Sequence, residues 1–300
     1  MAKKRKRSHL TKDYCGYLFI SPFFIIFLIF GLYPLLYTIF LSFTSFDGFG
    51  TPDFVGIKNY QRLLEDDLFY QALGNTIKIW ITNFIPQITT ALVLACVFSY
   101  TKVKGYKILR AIYYVPNLVT AATIGVFFKS FLDYPNGTLN QLLMQAGIID
   151  KAVNFTSNPA FMQNTVAVIM WWMFFGNNMI VFIASMTSIS NDYYEAARID
   201  GANVVHMFTK ITLPLIRPIV LYICITSVIG GLQVFDVPQI LSGGNGAPQN
   251  SLTTAVSYLY NQGFKNYNYG YASTISMGVF IIIILCSIIM YLGYYRKKKD

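Results

Sequence analysis

Long apolar runs alternate with short polar breaks along this chain, and the lengths of the runs predict its elements. Crossing roughly 30 Å of hydrocarbon at about 1.5 Å per residue takes a helix of about 20 mostly apolar residues. Six stretches meet that length, near 17–43, 76–100, 107–131, 162–187, 216–241 and 271–295. The fifth is the most interrupted, because it carries Gly230, Gly231, Gln233, Asp236 and Pro238. The pattern divides the chain into a basic head (1–16), a membrane-spanning domain (17–295) and a basic tail (296–300). The first run follows "KKRKR", as a secretory signal would. From Tyr17 to Phe43 it is longer than the 7–15 residues of a signal core and lacks a small-residue cleavage pattern, so it is read as a retained span.

Charge sets the orientation. Most of the 23 Lys and Arg residues fall before the first run, at Lys102, Lys104, Lys107 and Arg110, at Arg198, Lys210 and Arg217, and at Arg296 to Lys299. The alternate loops hold only Lys58, Arg62, Lys151 and Lys265, while Lys78 and Lys129 lie near span ends. Basic residues concentrate on the cytoplasmic side of membrane chains. Both termini and segment 191–215 are therefore expected in the cytoplasm. Loops 44–75, 132–161 and 242–270 are expected outside; they are acidic or turn-rich and too short for a further domain. Only 12% of residues are charged, against about 25% in soluble domains. The net charge of +10 is thus a topology signal, and no nucleic-acid partner is needed to explain it.

Between the fourth and fifth runs stands "NDYYEAARIDGANVVHMFTKITLPLIRP". Asp192 is a candidate N-cap, and Glu195 three residues later fits a reciprocal capping arrangement. Tyr193, Ala196, Ala197 and Asp200 recur at helical spacing. Gly201 permits a tight turn, Val204 to Leu213 form a second amphipathic stretch, and Pro214 can open the next helix. A helix lying on lipid is the plain alternative, but such helices carry a rich basic face and large apolar residues. This segment has mixed charge and small residues.

The string Glu195-Ala196-Ala197, Gly201, Ile211, Leu213-Pro214 resembles the signature cytoplasmic loop of permease subunits of binding-protein-dependent ABC importers. "FVGIKNYQRLL", "YYVPNLVTAATIGVFFKSFL" and "LSGGNGAPQNSLTTAVSYLY" extend the resemblance over nearly the whole chain, to the carbohydrate-type group of the maltose permease. The usual L-T-x-G-G-P of that group is altered here, over Leu241 to Pro248. The resemblance implies an all-α integral membrane fold with six transmembrane helices, in a bacterial plasma membrane. It implies a second homologous permease subunit, two ATPase subunits that bind ATP and Mg, and an extracellular solute-binding protein that delivers a sugar. No cofactor is expected in this chain. Asp192, Glu195, Ala196, Ala197, Arg198, Asp200 and Gly201 would then form the helix that docks in an ATPase groove, with Glu195 paired to a basic residue there.

For the substrate path, Met170, Met173, Phe174 and Asn177 share one helical face, with Asn178 beside them. Ser227, Gly230, Gly231 and Val234 share another. A polar, aromatic wall facing a small-residue wall suits sugars, whose hydroxyls take amide partners and whose apolar faces meet aromatic rings. The resemblance places sugar contacts at these positions, with Gly230 where an aromatic is expected. Small residues also serve close helix packing. Asp236, an ionisable group in a span, is a further candidate. One of Trp171 and Trp172 is expected to face lipid.

Other classes lose ground. The string G-x-x-x-x-G-K-[ST] is absent, so ATP is not bound by that loop. His9 and His206 form no cluster with acids, and Cys15, Cys96, Cys224 and Cys286 show no metal or disulfide spacing. A membrane enzyme lacks its catalytic set, and a secondary transporter would have only Asp236 for ion coupling. A glycerol-phosphate importer of the same family would favour basic residues facing the cavity. Spans four and five have only Arg217, at the inner edge.

Overall fold

The computed structural model describes residues 10–101 and 103–296. The basic runs at 3–7 and 297–299, together with Lys102, lie outside them. The helices are α1 (Leu10–Phe27), α2 (Tyr33–Ser42), α3 (Lys58–Leu64), α4 (Asp67–Tyr100), α5 (Tyr106–Leu118), α6 (Ala121–Phe131) and α7 (Thr138–Gln145). They continue as α8 (Pro159–Thr187), α9 (Asn191–Ile199), α10 (Val204–Met207), α11 (Leu213–Leu232), α12 (Asp236–Leu241), α13 (Ala255–Tyr260) and α14 (Tyr269–Arg296). Two compact units are distinguishable: residues up to 65 with 262–277, and 66–261 with 278 onward.

Among the described residues five helical stretches are long and apolar enough to cross a membrane: Gly16–Ser42, Asp67–Tyr100, Pro159–Thr187, Val204–Leu241 and Tyr269–Tyr294. The third expected span, 107–131, is a broken pair instead. Helices α5 and α6 meet at 87°, and the pair counts as a sixth span only if both halves are taken together. Pro116 removes a backbone donor near the end of α5, and Thr120 caps α6 by accepting from the Thr123 N–H at 3.2 Å. An apolar count cannot register a break made by a cap and a proline within one greasy run.

The second unit is built on α8, which packs on α4, α5 and α11. Its N-cap is Asn158, accepting from the Phe161 N–H, with Pro159 in the first turn. Asp66 caps α4 through Leu68 and Phe69 N–H, so α4 begins well before the expected residue 76. Apolar side chains gather in two clusters. One joins Ile79, Ile124, Met162, Val166, Met173, Val234 and Val237. The other joins Ala91, Ala95, Met179, Phe182, Met186, Ile216 and Ile223.

The altered loop after α12 is pinned by side chains of α4 and α8. Asn75 Nδ2 donates to the carbonyls of Asn250 (2.8 Å) and Thr253 (3.1 Å), and Gln163 Nε2 donates to that of Ser251 (3.0 Å). Thr76 Oγ1 accepts from the Ala255 N–H at 2.9 Å.

In the first unit a two-residue antiparallel pair sets Thr44 against Phe54 and Ser45 against Asp53. Asn59 Nδ2 donates to the carbonyls of Ser42 and Thr44, and Thr274 Oγ1 donates to that of Ser42 at 2.9 Å. Arg62 sits 3.8 Å from the centroid of the Tyr271 ring. These contacts tie the "FVGIKNYQRLL" stretch to the end of α2 and the start of α14.

Candidate functional site

Between the two apolar clusters α4, α8 and α11 each turn polar at the same level. A cavity of about 220 Å³ opens there, lined by Asn83 and Gln87 of α4, Met170, Phe174, Asn177 and Asn178 of α8, and Ile223, Thr226, Ser227, Gly230 and Gly231 of α11. Asn83, Gln87 and Asn178 are buried. Asn83 Oδ1 has no hydrogen-bond partner, an uncommon state for a buried acceptor.

Seven of the candidate path residues thus meet at one cavity: Met170, Phe174, Asn177, Asn178, Ser227, Gly230 and Gly231. Three lie elsewhere. Met173 is buried in the first apolar cluster, because it flanks the cavity face of α8. Val234 lies beyond the end of α11 and joins the same cluster. Asp236 is exposed in the first turn of α12, where the break at residues 233–235 has carried it out of the α11 helix. Gly231 lines the cavity and is also where α11 packs against α4. A Cβ there would overlap the indole of Trp80, which fills the space and donates toward Ser227 Oγ at 3.4 Å. Trp171 donates to Thr90 Oγ1 (3.3 Å) and stacks on Phe175, and Trp172 is the exposed member of the pair.

Asn83, Gln87 and Thr226 were not among the candidates. The signal for the first two was present: amides four residues apart within the apolar "NFIPQ" of α4 share one helical face. Without α8 opposite, nothing distinguished that face from an interhelical packing seam.

The second candidate region is α9. Its N-cap is Ser190, which accepts from the Asp192 N–H at 3.3 Å and donates to Asp192 Oδ2 at 3.0 Å. The cap therefore stands two residues before Asp192, and Glu195 falls beyond the position a reciprocal partner would occupy. At the other end Ala202 N–H reaches the Ala197 carbonyl (2.8 Å) and Gly201 N–H that of Arg198 (3.1 Å). Gly201 has φ +81°, the left-handed helix stop that glycine favours. Asp192, Glu195, Ala196, Arg198, Asp200 and Gly201 are exposed, Ala197 is half-buried, and Ile199 is 87% exposed.

One contact anchors this helix. Tyr194 OH bonds Thr212 Oγ1 at 2.9 Å, the same oxygen bonds Tyr100 OH at the end of α4, and the two rings meet edge to face. Thr212 is fully buried. Beside this anchor lies a polar cavity of about 390 Å³, bordered by Ser99, Asn191, Glu195 and Arg198. The expected second short helix is not separate. Val204–Met207 runs through a wider π-type turn, Phe208–Thr212, directly into α11. Pro214 follows that wider turn and has no N–H to give to the continuous helix.

No group of three or more His, Cys, Asp or Glu suited to a metal occurs among the described residues.

Over 297 residues the chain is 31% identical to the lactose transport system permease protein LacF of Rhizobium radiobacter, covering 98% of each. It is 32% identical over 280 residues to the arabinooligosaccharides transport system permease protein AraP of Bacillus subtilis, covering 93% of this chain and 88% of that one. The fold is that of a bacterial alginate ABC transporter crystallised with its alginate pentasaccharide-bound periplasmic protein (TM-score 0.82, 22% identity, 99% of each chain). Residues 87–297, which carry α8, the α9 segment and every lining residue of the polar cavity except Asn83, match a described family of membrane proteins, and on that match the chain belongs to the binding-protein-dependent transport system inner membrane components.

Proposed function

We propose that this chain forms half of the translocation path for a neutral sugar, an oligosaccharide, in an ATP-driven importer of the bacterial plasma membrane. The observation that carries the reading is the amide-lined cavity between two apolar clusters, with the Asn83 carbonyl oxygen buried and unpartnered. Asn83, Gln87, Asn177 and Asn178 offer donors and acceptors to hydroxyl groups, while Met170 and Phe174 offer apolar surface to the sugar ring. No Lys or Arg lines the cavity, which speaks against a phosphorylated solute. The relatives' names, lactose and arabinooligosaccharides, support the same substrate class.

At about 220 Å³ the cavity is smaller than the roughly 300–1,000 Å³ of small-molecule sites, as befits one wall of a path completed by a second permease subunit. The termini and α9 face the cytoplasm. Two ATPase subunits hold ATP and Mg, and each permease seats its exposed α9 helix in one of them. Closure of the ATPase pair pulls on α9, and Tyr194 and Thr212 pass the movement to α4 and α11, which also line the cavity. The path opens outward, takes the sugar from an extracellular binding protein, and closes again after hydrolysis.

The test is reconstitution with the partner subunits in proteoliposomes, with ATP inside and binding protein outside. Uptake of a neutral oligosaccharide that stops without ATP is the expected result. Uptake restricted to glycerol phosphates, or uptake without nucleotide, refutes the reading.

A further inference from the structure

A second cavity, of about 500 Å³, lies between α11 and α14. Its floor is apolar (Val220, Leu221, Cys224 and Met290), and one end carries Arg217 and Tyr294. Helix α11 starts at Leu213, within the continuous apolar stretch Val204–Leu241, and the candidate span Tyr269–Tyr294 stops at that end. A tyrosine that closes a span favours the headgroup level, where its ring is in apolar surroundings and its hydroxyl is among polar groups. Arg217, Leu221 and Cys224 recur at i, i+4 and i+7, while the polar cavity takes Ile223, Ser227 and Gly230. The groove is therefore on a different face of α11 from the substrate path.

The groove has an unbalanced charge. None of its lining residues is acidic, and a guanidinium in a span is costly without an anionic partner. A neutral apolar helix laid over it would bury that charge uncompensated. We propose that the groove binds one anionic phospholipid, with its phosphate on Arg217 and an acyl chain along Leu221, Cys224 and Met290. Arg217 and Cys224 are seven residues apart, about 10 Å along the helix, which matches the step from phosphate to upper acyl chain. In sequence Arg296 to Lys299 follow Tyr294 after one residue, Tyr295, and add attraction for an anionic surface. Basic pockets between membrane helices bind lipid headgroups in this way. Only the assignment to the inner leaflet rests on the orientation proposed above.

The test is native mass spectrometry of the purified full chain released from bilayers of phosphatidylglycerol and phosphatidylcholine. Arg217→Gln is expected to lower the ratio of retained phosphatidylglycerol to phosphatidylcholine about five-fold, the effect of one basic side chain at an anionic surface. Arg217→Lys should keep most of it, and Arg110→Gln should not change it. Cys224→Trp, which fills the floor, should lower retention with Arg217 intact. Equal ratios in wild type and Arg217→Gln, or an equal loss in Arg110→Gln, overturn the proposal. Lipid is read by mass and transport by uptake, so retained lipid with no uptake refutes the transport reading alone.

Discussion

Asn83 of α4 and Asn177 of α8 both line the polar cavity, and their expected worth lies in hydrogen bonds to a sugar. An amide that meets a sugar hydroxyl in a dry site contributes about 1–2 kcal/mol, or about 5- to 30-fold in affinity. Asn177→Leu and Asn83→Leu are each expected to weaken uptake by that factor or to change which sugars compete. ATPase docking and the binding protein's own affinity should stay as they are. Competition uptake in membrane vesicles measures this, and unchanged uptake with both leucines removes the cavity from the path. Asp236, exposed at the start of α12, is expected to tolerate Asn in the same assay.

Helix α9 is short, so it depends on its two ends and on one anchor. Thr212 gives its single oxygen to both Tyr194 and Tyr100. Thr212→Val leaves two tyrosine hydroxyls without that partner, at about 1–3 kcal/mol for each one that stays buried and unpaired. The expected outcome is fewer sugars carried per ATP hydrolysed, with nucleotide binding unchanged. An unaltered ratio of uptake to hydrolysis means that α9 transmits its movement by another route. At Gly201 the backbone is left-handed, and a Cβ would meet nothing within 4 Å. Asp and Asn both tolerate this conformation, so Gly201→Asp should fold and reach the membrane yet block uptake by its charge at the docking face. Gly201→Asn separates backbone from charge. If the Asp variant transports normally and co-purifies with the ATPase, α9 is not the docking helix.

At the scale of the whole molecule, the polar cavity is proposed as one wall of a path, and the string G-x-x-x-x-G-K-[ST] does not occur in the sequence. Reconstituted without partners it is expected to show neither ATP hydrolysis nor sugar flux. Flux from a clean preparation would restore the secondary-transporter reading. In the Pro159–Thr187 candidate span 61% of the apolar window is buried, so helix α8 is held by its own chain.

The apolar runs by themselves determined that this is a helical membrane protein and roughly where five of its spans lie, because the hydrocarbon thickness fixes the length of any helix that crosses it. The Glu195 to Pro214 string determined the family, because its spacing is specific. The tertiary structure decided three things that depend on neighbours. The bend at Val119–Thr120 depends on a cap and a proline that hydropathy does not register. The place of α9 depends on Thr212, distant in sequence from Tyr100. The polar wall proposed for the substrate depends on which faces of α4, α8 and α11 are turned toward one another. Periodicity put Met170, Met173, Phe174 and Asn177 on one face, but only the packed helix buried Met173 and left the others at the opening. It likewise brought Asn83 and Gln87 into the wall. A helix's own spacing says which side chains travel together; what stands opposite decides which of them meet a substrate.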